Sequence, residues 1–456
     1  MAKNKWFGTD GVRGVANVFP MTIDFAMKLG MVSGMLLCQD QKKVAIAKDT
    51  RVSADMLEAA LVAGFTSQGV DVVLLGVMPT PALTTLVEAL KVDMAVMITA
   101  SHNPYQDNGI KLINAIGDKF SDDITAKIEE AMEKDNFAFD PQKIGKVYSE
   151  NLIADYEKIA QSVVQGGDGL TGMKVVLDCA NGCFSGVLPK VFRACGAEVI
   201  ALSEEPNGVN INLDCGSQHT QNMCAKVLET GADMGIAVDG DGDRIIICDE
   251  KGQRLDGDQI IAFLGLYFKQ KNKLKANTVV ATIVSNPAMD RFFAEKGISC
   301  VRSAVGERYV IEEMKKIGAN IGGEESGHMV VADYAKTGDA MMTGLIVAQG
   351  VWEAKQKMSQ IFPLFKPMIR KRIDTKFVSK DEMISAFDSA DFKQAIADGE
   401  QMISGYGKVL IRKSGTEPKI QVWVWSDDED KALQTAQKIS SMLEKMNGFE
   451  LFKNVN

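Results

Sequence analysis

The chain has 456 residues, more than one hydrophobic core usually serves, so its length alone points to about three domains. With 46% hydrophobic and 24% charged residues, 41 Gly and 11 Pro, it has the composition of an ordinary globular protein and excludes low-complexity and heptad-repeat architectures. A formal charge of −9 without a long Lys/Arg run excludes nucleic acid as the main partner, and it requires local cations to hold any anionic ligand against the net field. The opening MAKNKWFGTDG has no apolar signal-like stretch and nothing later approaches the ~20 apolar residues of a membrane span, so a cytoplasmic protein with no membrane partner is expected. Eight cysteines stand singly, Cys179 and Cys183 being the closest pair, without metal-type or CxxC spacing; reduced thiols are expected.

In chain order, three segments repeat one grammar of apolar strand, polar or glycine-bearing loop, helix and a glycine that opens a β-branched return strand. KKVAIAKDTRVS leads to MLEAALVAGFTSQ and GVDVVLLG; MKVVLDCANGCFSG leads to VLPKVFRAC and GAEVIALS; NTVVATIVSNPA leads to MDRFFAEK and GISCVRSAVG. Gly69, Gly196 and Gly297 open the return strands, which suggests three similar α/β units. After Pro363 and Pro367 the pattern changes to strands RKRID, KVLIRK and QVWVW with a closing helix KALQTAQKISSMLEKM, a smaller α+β unit. The expected domains are 1–150, 151–255, 256–367 and 368–456.

Five loops carry residues suited to chemistry. In FGTDGVRG, Arg13 between glycines is an anion-contact candidate, or an exposed arginine on a tight turn. TASHNP follows the apolar run MAVMI, so Ser101 and His102 lie just beyond a strand's carboxyl end, where open α/β sheets place ligands. Alone, this stretch serves equally as a capping turn, and the G-x-S-x-G elbow of a triad hydrolase is absent. DGDGDR places Asp239, Asp241 and Asp243 at alternate positions on a glycine-flexed loop, able to converge on one hard cation. An EF-hand is the rival, with Glu250 at the twelfth position, but Arg244 occupies the sixth, where glycine is obligatory, and the flanks read as strands. An arginine beside a metal implies a second anionic ligand, and a phosphorylated Ser101 would unite the two loops. GGEESGH offers Glu324, Ser326 and His328 to sugar hydroxyls, or simply ends a helix; RKSGTEP offers Arg412, Ser414, Gly415 and Thr416 as a phosphate nest, or is a surface hairpin.

Taken together and in this order, TASHNP, DGDGDR, GGEESGH and RKSGTEP resemble the signature loops of the α-D-phosphohexomutases over essentially the whole chain, one loop per expected domain. FGTDGVRG at the start, PTPALTTL, DNGIKL, EPNGVNIN followed by CGSQH, and VGERYV resemble the bacterial branch that acts on glucosamine phosphates. The resemblance implies three similar α/β domains with mixed sheets and a smaller C-terminal α+β domain around a central cleft. It implies an isomerase that interconverts the 6- and 1-phosphates of an amino sugar through a phosphoserine and a 1,6-bisphosphate, supplying UDP-N-acetylglucosamine synthesis. Ser101 would be the phosphoserine, and one Mg²⁺ per chain would be held by its phosphate and by Asp239, Asp241 and Asp243. Arg13, Lys111 and Arg244 would neutralise the transferring phosphoryl group, with Lys111 or His102 assisting proton transfer. Glu324, Ser326 and His328 would read sugar hydroxyls, and Arg412, Ser414, Gly415 and Thr416 would hold the non-reacting phosphate. A glucosamine or glucose 1,6-bisphosphate would be the activator, a small phosphosugar the partner, and a homodimer is the family-level expectation.

Two positions depart from the family pattern: Glu325, where glutamine is usual, and Gln421, where an arginine is usual. Gly242, where alanine is commoner, is expected to be harmless, and His219 to be structural. The alternatives are a glucose or mannose phosphate mutase of the same family, a non-enzymatic protein using DGDGDR to bind a cation, and a serine-dependent phosphatase.

Overall fold

In the computed structural model the described residues are 5–8, 10–134, 137, 139–164, 169–405, 407–414 and 417–447. They form four sheets. The first contains β1 (Val12–Val15), β2 (Lys43–Lys48), β3 (Asp71–Val77), β4 (Met94–Ile98), β5 (Asp107–Asn114) and β6 (Val147–Ser149) in the order β1-β5-β4-β2-β3-β6. The central strands are parallel, Val44 lying opposite Val72 on one side and Met94 on the other, whereas β5 and β1 run antiparallel. The run KVAIAK lacks polar alternation because both of its faces are covered. Helices Ile23–Leu37 and Ser53–Ser67 cover one of them together, and a Cβ on Gly64 would lie 2.2 Å from the Met27 carbonyl oxygen. That close approach brings Leu29, Leu61 and Phe65 onto Val44, Ile46 and Val96 in one core.

The second sheet contains β7 (Lys174–Asp178), β8 (Glu198–Leu202), β9 (Met234–Val238), β10 (Ile245–Asp249) and β11 (Arg254–Leu255), in the order β11-β10-β9-β7-β8. Here too the inner pairs are parallel and the β9–β10 pair antiparallel, so the loop DGDGDR is a hairpin connection. The third, with β12 (Thr278–Thr282), β13 (Ser299–Ser303), β14 (Ile321–Gly323) and β15 (Met329–Val331), has the order β13-β12-β14-β15. GGEESGH does not end a helix; it turns the antiparallel pair β14–β15. The fourth is wholly antiparallel, β16 (Ile369–Lys376), β17 (Gly407–Lys413) and β18 (Lys419–Ser426) in the order β16-β18-β17. Along β18, Ile420, Val422 and Val424 alternate into a core under helices Lys380–Asp388, Ala390–Met402 and Glu429–Asn447, while Trp423 and Trp425 on the other face are buried as well.

By packing, the chain divides into two compact units, residues 1–283 with 301–363, and residues 284–300 with 364–456. The segment 284–300 joins the second through Asn286, which both donates to the Met368 carbonyl (3.0 Å) and accepts from its N–H (3.1 Å), and through the Arg291–Asp427 ion pair at 2.9 Å. All eight cysteines are free thiols, and no helix among the described residues is long and apolar enough to cross a membrane.

Candidate active site

The serine and aspartate loops and the charged residues around them belong to the first unit. β4 ends at Ile98, and the chain turns sharply: Ser101 adopts a left-handed φ of +54°, and its N–H donates to Thr99 Oγ1 at 2.9 Å. This conformation, uncommon for a residue with a Cβ, turns the serine inward. Ser101 is buried, and its Oγ donates to Asp239 Oδ2 at 2.6 Å with His102 Nδ1 at 3.3 Å.

Asp239, Asp241 and Asp243 are all buried, and one carboxylate oxygen from each lies within 4.8 Å of the others. Gly242, at φ +80°, makes the turn possible, because a Cβ there would meet the Phe184 ring at 2.3 Å. Asp241 Oδ2 accepts from Thr80 Oγ1 (2.7 Å) and Lys111 Nζ (2.8 Å), while its Oδ1 is buried without a partner. Lys111 also donates to Asp243 Oδ2 at 3.2 Å and lies 3.3 Å from Asp10 Oδ2. Burial pushes the Asp239 carboxyl well above its ordinary range, and the charges of Asp243 and Asp241 push it further. Asp243 goes the other way: although burial opposes ionisation, His328 and Lys111 hold it well below the usual carboxylate range. Three converging carboxylates, one with an orphaned oxygen, fit a hard divalent cation.

A second ring of charge surrounds this centre. Asp10 pairs with Arg13 and, at 2.5 Å, with Lys119, which reaches Glu307 Oε2 at 2.7 Å. Glu307 is fixed in turn by the Gly338 N–H at 2.6 Å and by the Thr337 hydroxyl. Burial disfavours the Lys111 ammonium, yet Asp10, Asp241 and Asp243 raise its pKa well above the ordinary value, so it stays a cation. His102 is driven down to about 4, first by burial and then by Arg244 and Arg13, so its ring is neutral at pH 7. His328 Nε2 lies 2.9 Å from both Asp243 Oδ1 and Arg244 Nε; burial opposes its charge, but Asp243 raises its pKa to about 10. Protonated His328 donates to Asp243, and the distance to Arg244 is then a close approach of two cations.

Ser101, His102, Lys111, Arg13, Arg244, the three aspartates, Glu324 and His328 therefore lie in one connected array. Glu324 Oε1 accepts from the Gly306 N–H at 2.9 Å and its Oε2 is 3.5 Å from His328 Nδ1, whereas Ser326 is exposed at the tip of the turn. Arg412 and Ser414, at the end of β17, belong to the second unit; Gly415 and Thr416 lie outside the described residues. Burial and the nearby Arg372 guanidinium both lower the Arg412 pKa. Gln421 faces Arg412 and Asp374 in the β-ladder, and His219 is exposed, its N–H donating to the Gly216 carbonyl at 3.1 Å. Asp10, Thr80, Lys119 and Glu307 were not singled out from the sequence. Asp10, Thr80 and Glu307 sit inside the quoted stretches FGTDGVRG, PTPALTTL and VGERYV, but only folding shows that these stretches meet.

Residues 4–139, 146–252 and 256–368 match the phosphoglucomutase/phosphomannomutase alpha/beta/alpha domains I, II and III, and residues 373–441 match the C-terminal domain of the same family. The chain belongs to the phosphoglucomutase/phosphomannomutase family. As a phosphohexomutase it is an isomerase, an intramolecular phosphotransferase. It is 42% identical over 449 residues to the phosphoglucosamine mutase of Rhodospirillum rubrum, covering 97% of this chain and 99% of that one. Its similarity to the phosphoglucosamine mutase of Phenylobacterium zucineum is also 42%, over 98% and 100% of the two chains. Among solved structures, a phosphoglucomutase/phosphomannomutase family protein from Burkholderia thailandensis matches with a TM-score of 0.79 at 21% identity, over 98% of both chains. Aspergillus fumigatus N-acetylphosphoglucosamine mutase, solved with GlcNAc-6P and magnesium, matches with a TM-score of 0.65 at 15% identity, over 98% of this chain and 96% of that one. At such identities these two likenesses concern the four-domain mixed-sheet fold alone.

Proposed function

We propose that this phosphohexomutase interconverts glucosamine 6-phosphate and glucosamine 1-phosphate with Ser101 as the phosphoryl carrier. The single observation that carries the reading is the 2.6 Å contact of the buried Ser101 Oγ with a triad of carboxylates that also binds Lys111. The near-full-length 42% identity to relatives named phosphoglucosamine mutase supports the choice of sugar.

Asp239, Asp241 and Asp243, with an oxygen of the serine phosphate, would hold one Mg²⁺. Bound there, the cation supplies charge neutralisation at the phosphoryl group. In the forward step the sugar's anomeric hydroxyl attacks the serine-bound phosphorus and loses its proton, and the Ser101 Oγ–P bond breaks with Oγ taking up a proton, to leave a 1,6-bisphosphate. After the intermediate turns over, Ser101 Oγ attacks the phosphorus at the 6-position and loses its own proton, while O6 gains one. His102, neutral and 3.3 Å from Ser101 Oγ, is the group suited to take that proton, and Lys111, held as a cation, stabilises charge. Arg13 and Arg244 flank the transferring group, Glu324, Ser326 and His328 read the sugar, and Arg412, Ser414, Gly415 and Thr416 hold the idle phosphate. A 1,6-bisphosphate of glucosamine or glucose would load Ser101 initially.

The test is a mutase assay with Mg²⁺ and a trace of glucose 1,6-bisphosphate, comparing glucosamine 6-phosphate with glucose 1-phosphate and mannose 1-phosphate. Preference for the amino sugar, lost in Ser101→Ala, is expected. Preference for glucose or mannose phosphate would move the chain to another specificity within its family, and release of inorganic phosphate without isomerisation would make it a phosphatase.

A further inference from the structure

The serine loop is gripped from behind by two residues that touch none of the reacting groups. The Arg51 guanidinium, through Nη2, donates to the carbonyls of both Ser101 (3.1 Å) and Asn103 (2.6 Å). From another direction, Asn212 Nδ2 donates to the same two carbonyls, at 2.9 Å and 3.0 Å. Both side chains are buried, and each is anchored by its own support. Arg51 is paired with Asp49, whose Oδ1 also accepts the Arg51 N–H at 3.0 Å. Asn212, itself left-handed at φ +57°, donates its N–H to the Ala180 carbonyl at 2.9 Å. Ala180 is set by Asp178, at the end of β7, which accepts from the N–H groups of Ala180 (3.0 Å) and Gly216 (2.8 Å). Asn212 therefore ties the serine loop of the first sheet to the second sheet, which also carries the aspartate loop.

The direction of these bonds matters. Ser101 holds a left-handed φ that its own side chain does not favour; the bond from its N–H to Thr99 Oγ1 holds the peptide plane before it, the pull on its carbonyl holds the plane after it, and the pull on the Asn103 carbonyl fixes the loop that follows. Gly240 backs the same point, since a Cβ there would lie 2.9 Å from the Ser101 carbonyl oxygen. With the planes fixed, Oγ is aimed at the Asp239 side of the carboxylate triad before any ligand arrives.

We infer that Asn212 and Arg51 are positioning residues for phosphoryl transfer at Ser101, acting solely through the carbonyls of Ser101 and Asn103. The inference rests on the reading of Ser101 as the phosphoryl carrier, and the experiment separates the two. The full chain, stripped of phosphate, is mixed with Mg²⁺ and glucose 1,6-bisphosphate, and uptake of phosphate is followed by intact mass for wild type, Asn212→Ala, Arg51→Lys and Ser101→Ala. A misplacement near 1 Å costs about 100-fold, so Asn212→Ala is expected to slow uptake and kcat by roughly 10- to 100-fold. Its KM for glucosamine 6-phosphate should stay within about threefold, because ground-state binding is untouched. Its melting temperature should fall by no more than about 5 °C. Arg51→Lys, which keeps a cation opposite Asp49 but loses the fork, should change kcat in the same direction. Uptake at the wild-type rate in Asn212→Ala, or a deficit that merely follows the unfolded fraction, overturns the inference. No uptake by wild type, or uptake retained in Ser101→Ala, overturns the reading of Ser101 and the inference with it.

Discussion

The aspartate loop and the phosphate loop are both connections between antiparallel strands, β9 to β10 and β17 to β18, yet they handle charge in opposite ways. Asp239, Asp241 and Asp243 are buried, and cationic or hydroxyl partners from distant segments (Lys111, Thr80, His328, Ser101) meet them inside the protein. Arg412 is only half-buried, the charge that acts on it is that of another cation, Arg372, and no carboxylate pairs with it among the described residues. The first loop is organised beforehand at the cost of desolvating a dense set of charges, which demands that nearly every one be matched. The second leaves a cation uncompensated, so an arriving anion supplies the match. On the proposed reading, the first would serve the reacting atoms, where geometry must be fixed, and the second would grip the idle phosphate, where charge must remain available.

The largest break in this comparison comes at the serine. Ser101→Ala should lower mutase turnover by on the order of 10⁴-fold or more, because no other group can carry the phosphoryl through both half-reactions. A steady-state assay checks it, and a loss below tenfold would contradict the carrier role. Next in size is Thr80→Val, which keeps shape but removes the hydroxyl from Asp241 Oδ2. Partners of metal ligands typically govern affinity by about 10–100-fold, and activation should need that much more Mg²⁺, measured by titrating metal against rate. An unchanged Mg²⁺ requirement would show that Asp241 is oriented without Thr80.

On the other side of the comparison, Arg412→Ala should raise KM about tenfold while kcat changes little, as expected when a charge-assisted contact to a non-reacting phosphate is lost. An equal fall in kcat with constant KM would instead put Arg412 among the transition-state contacts.

The smallest effect concerns stability. Burial opposes ionisation of Glu307, but Lys119 and then His328 hold its carboxyl at about 2, below the ordinary 4.5. A carboxyl depressed on folding stabilises the protein above the unfolded pKa, so this contribution is present above about pH 4.5 and is lost as pH falls towards 2. Glu307→Gln should cost about 1–3 kcal/mol at neutral pH and flatten the fall in melting temperature between those limits. Acid unfolding monitored by circular dichroism in both proteins reads it directly, and parallel acid limbs would remove Glu307 from the account.

Much of the fold was written locally. Apolar runs such as MGIAV and QVWVW mark strands through one-residue rules and lie in strands of the structure, and the glycines Gly69, Gly196 and Gly297 sit in the turns just before the return strands. The helix pair between β16 and β17 was not read, because its apolar residues are thinly spaced among charges in KDEMISAFDSADFKQAIADGEQM. GGEESGH was ambiguous for a related reason: glycine and small polar residues serve a helix end and a hairpin equally, and only the pairing of Ile321 with Val331 decides between them.

The reactive residue types were likewise visible as short-range patterns, a serine beside a histidine, three alternating aspartates and a basic turn, but the serine and basic turns alone allowed a plain structural reading, and their roles came from the ordered resemblance to the phosphohexomutase loops. What the sequence could not determine is which charges face one another. That Lys111 meets Asp241 across 130 positions, that Thr80 steadies the same carboxylate, and that Asn212 holds the Ser101 carbonyl across 111 are products of sheet order and loop packing. The same is true of protonation: nothing local distinguishes His102, driven down to about 4, from His328, raised to about 10. Ionisation depends on burial and on neighbours brought together from different strands, and those exist only in the folded chain.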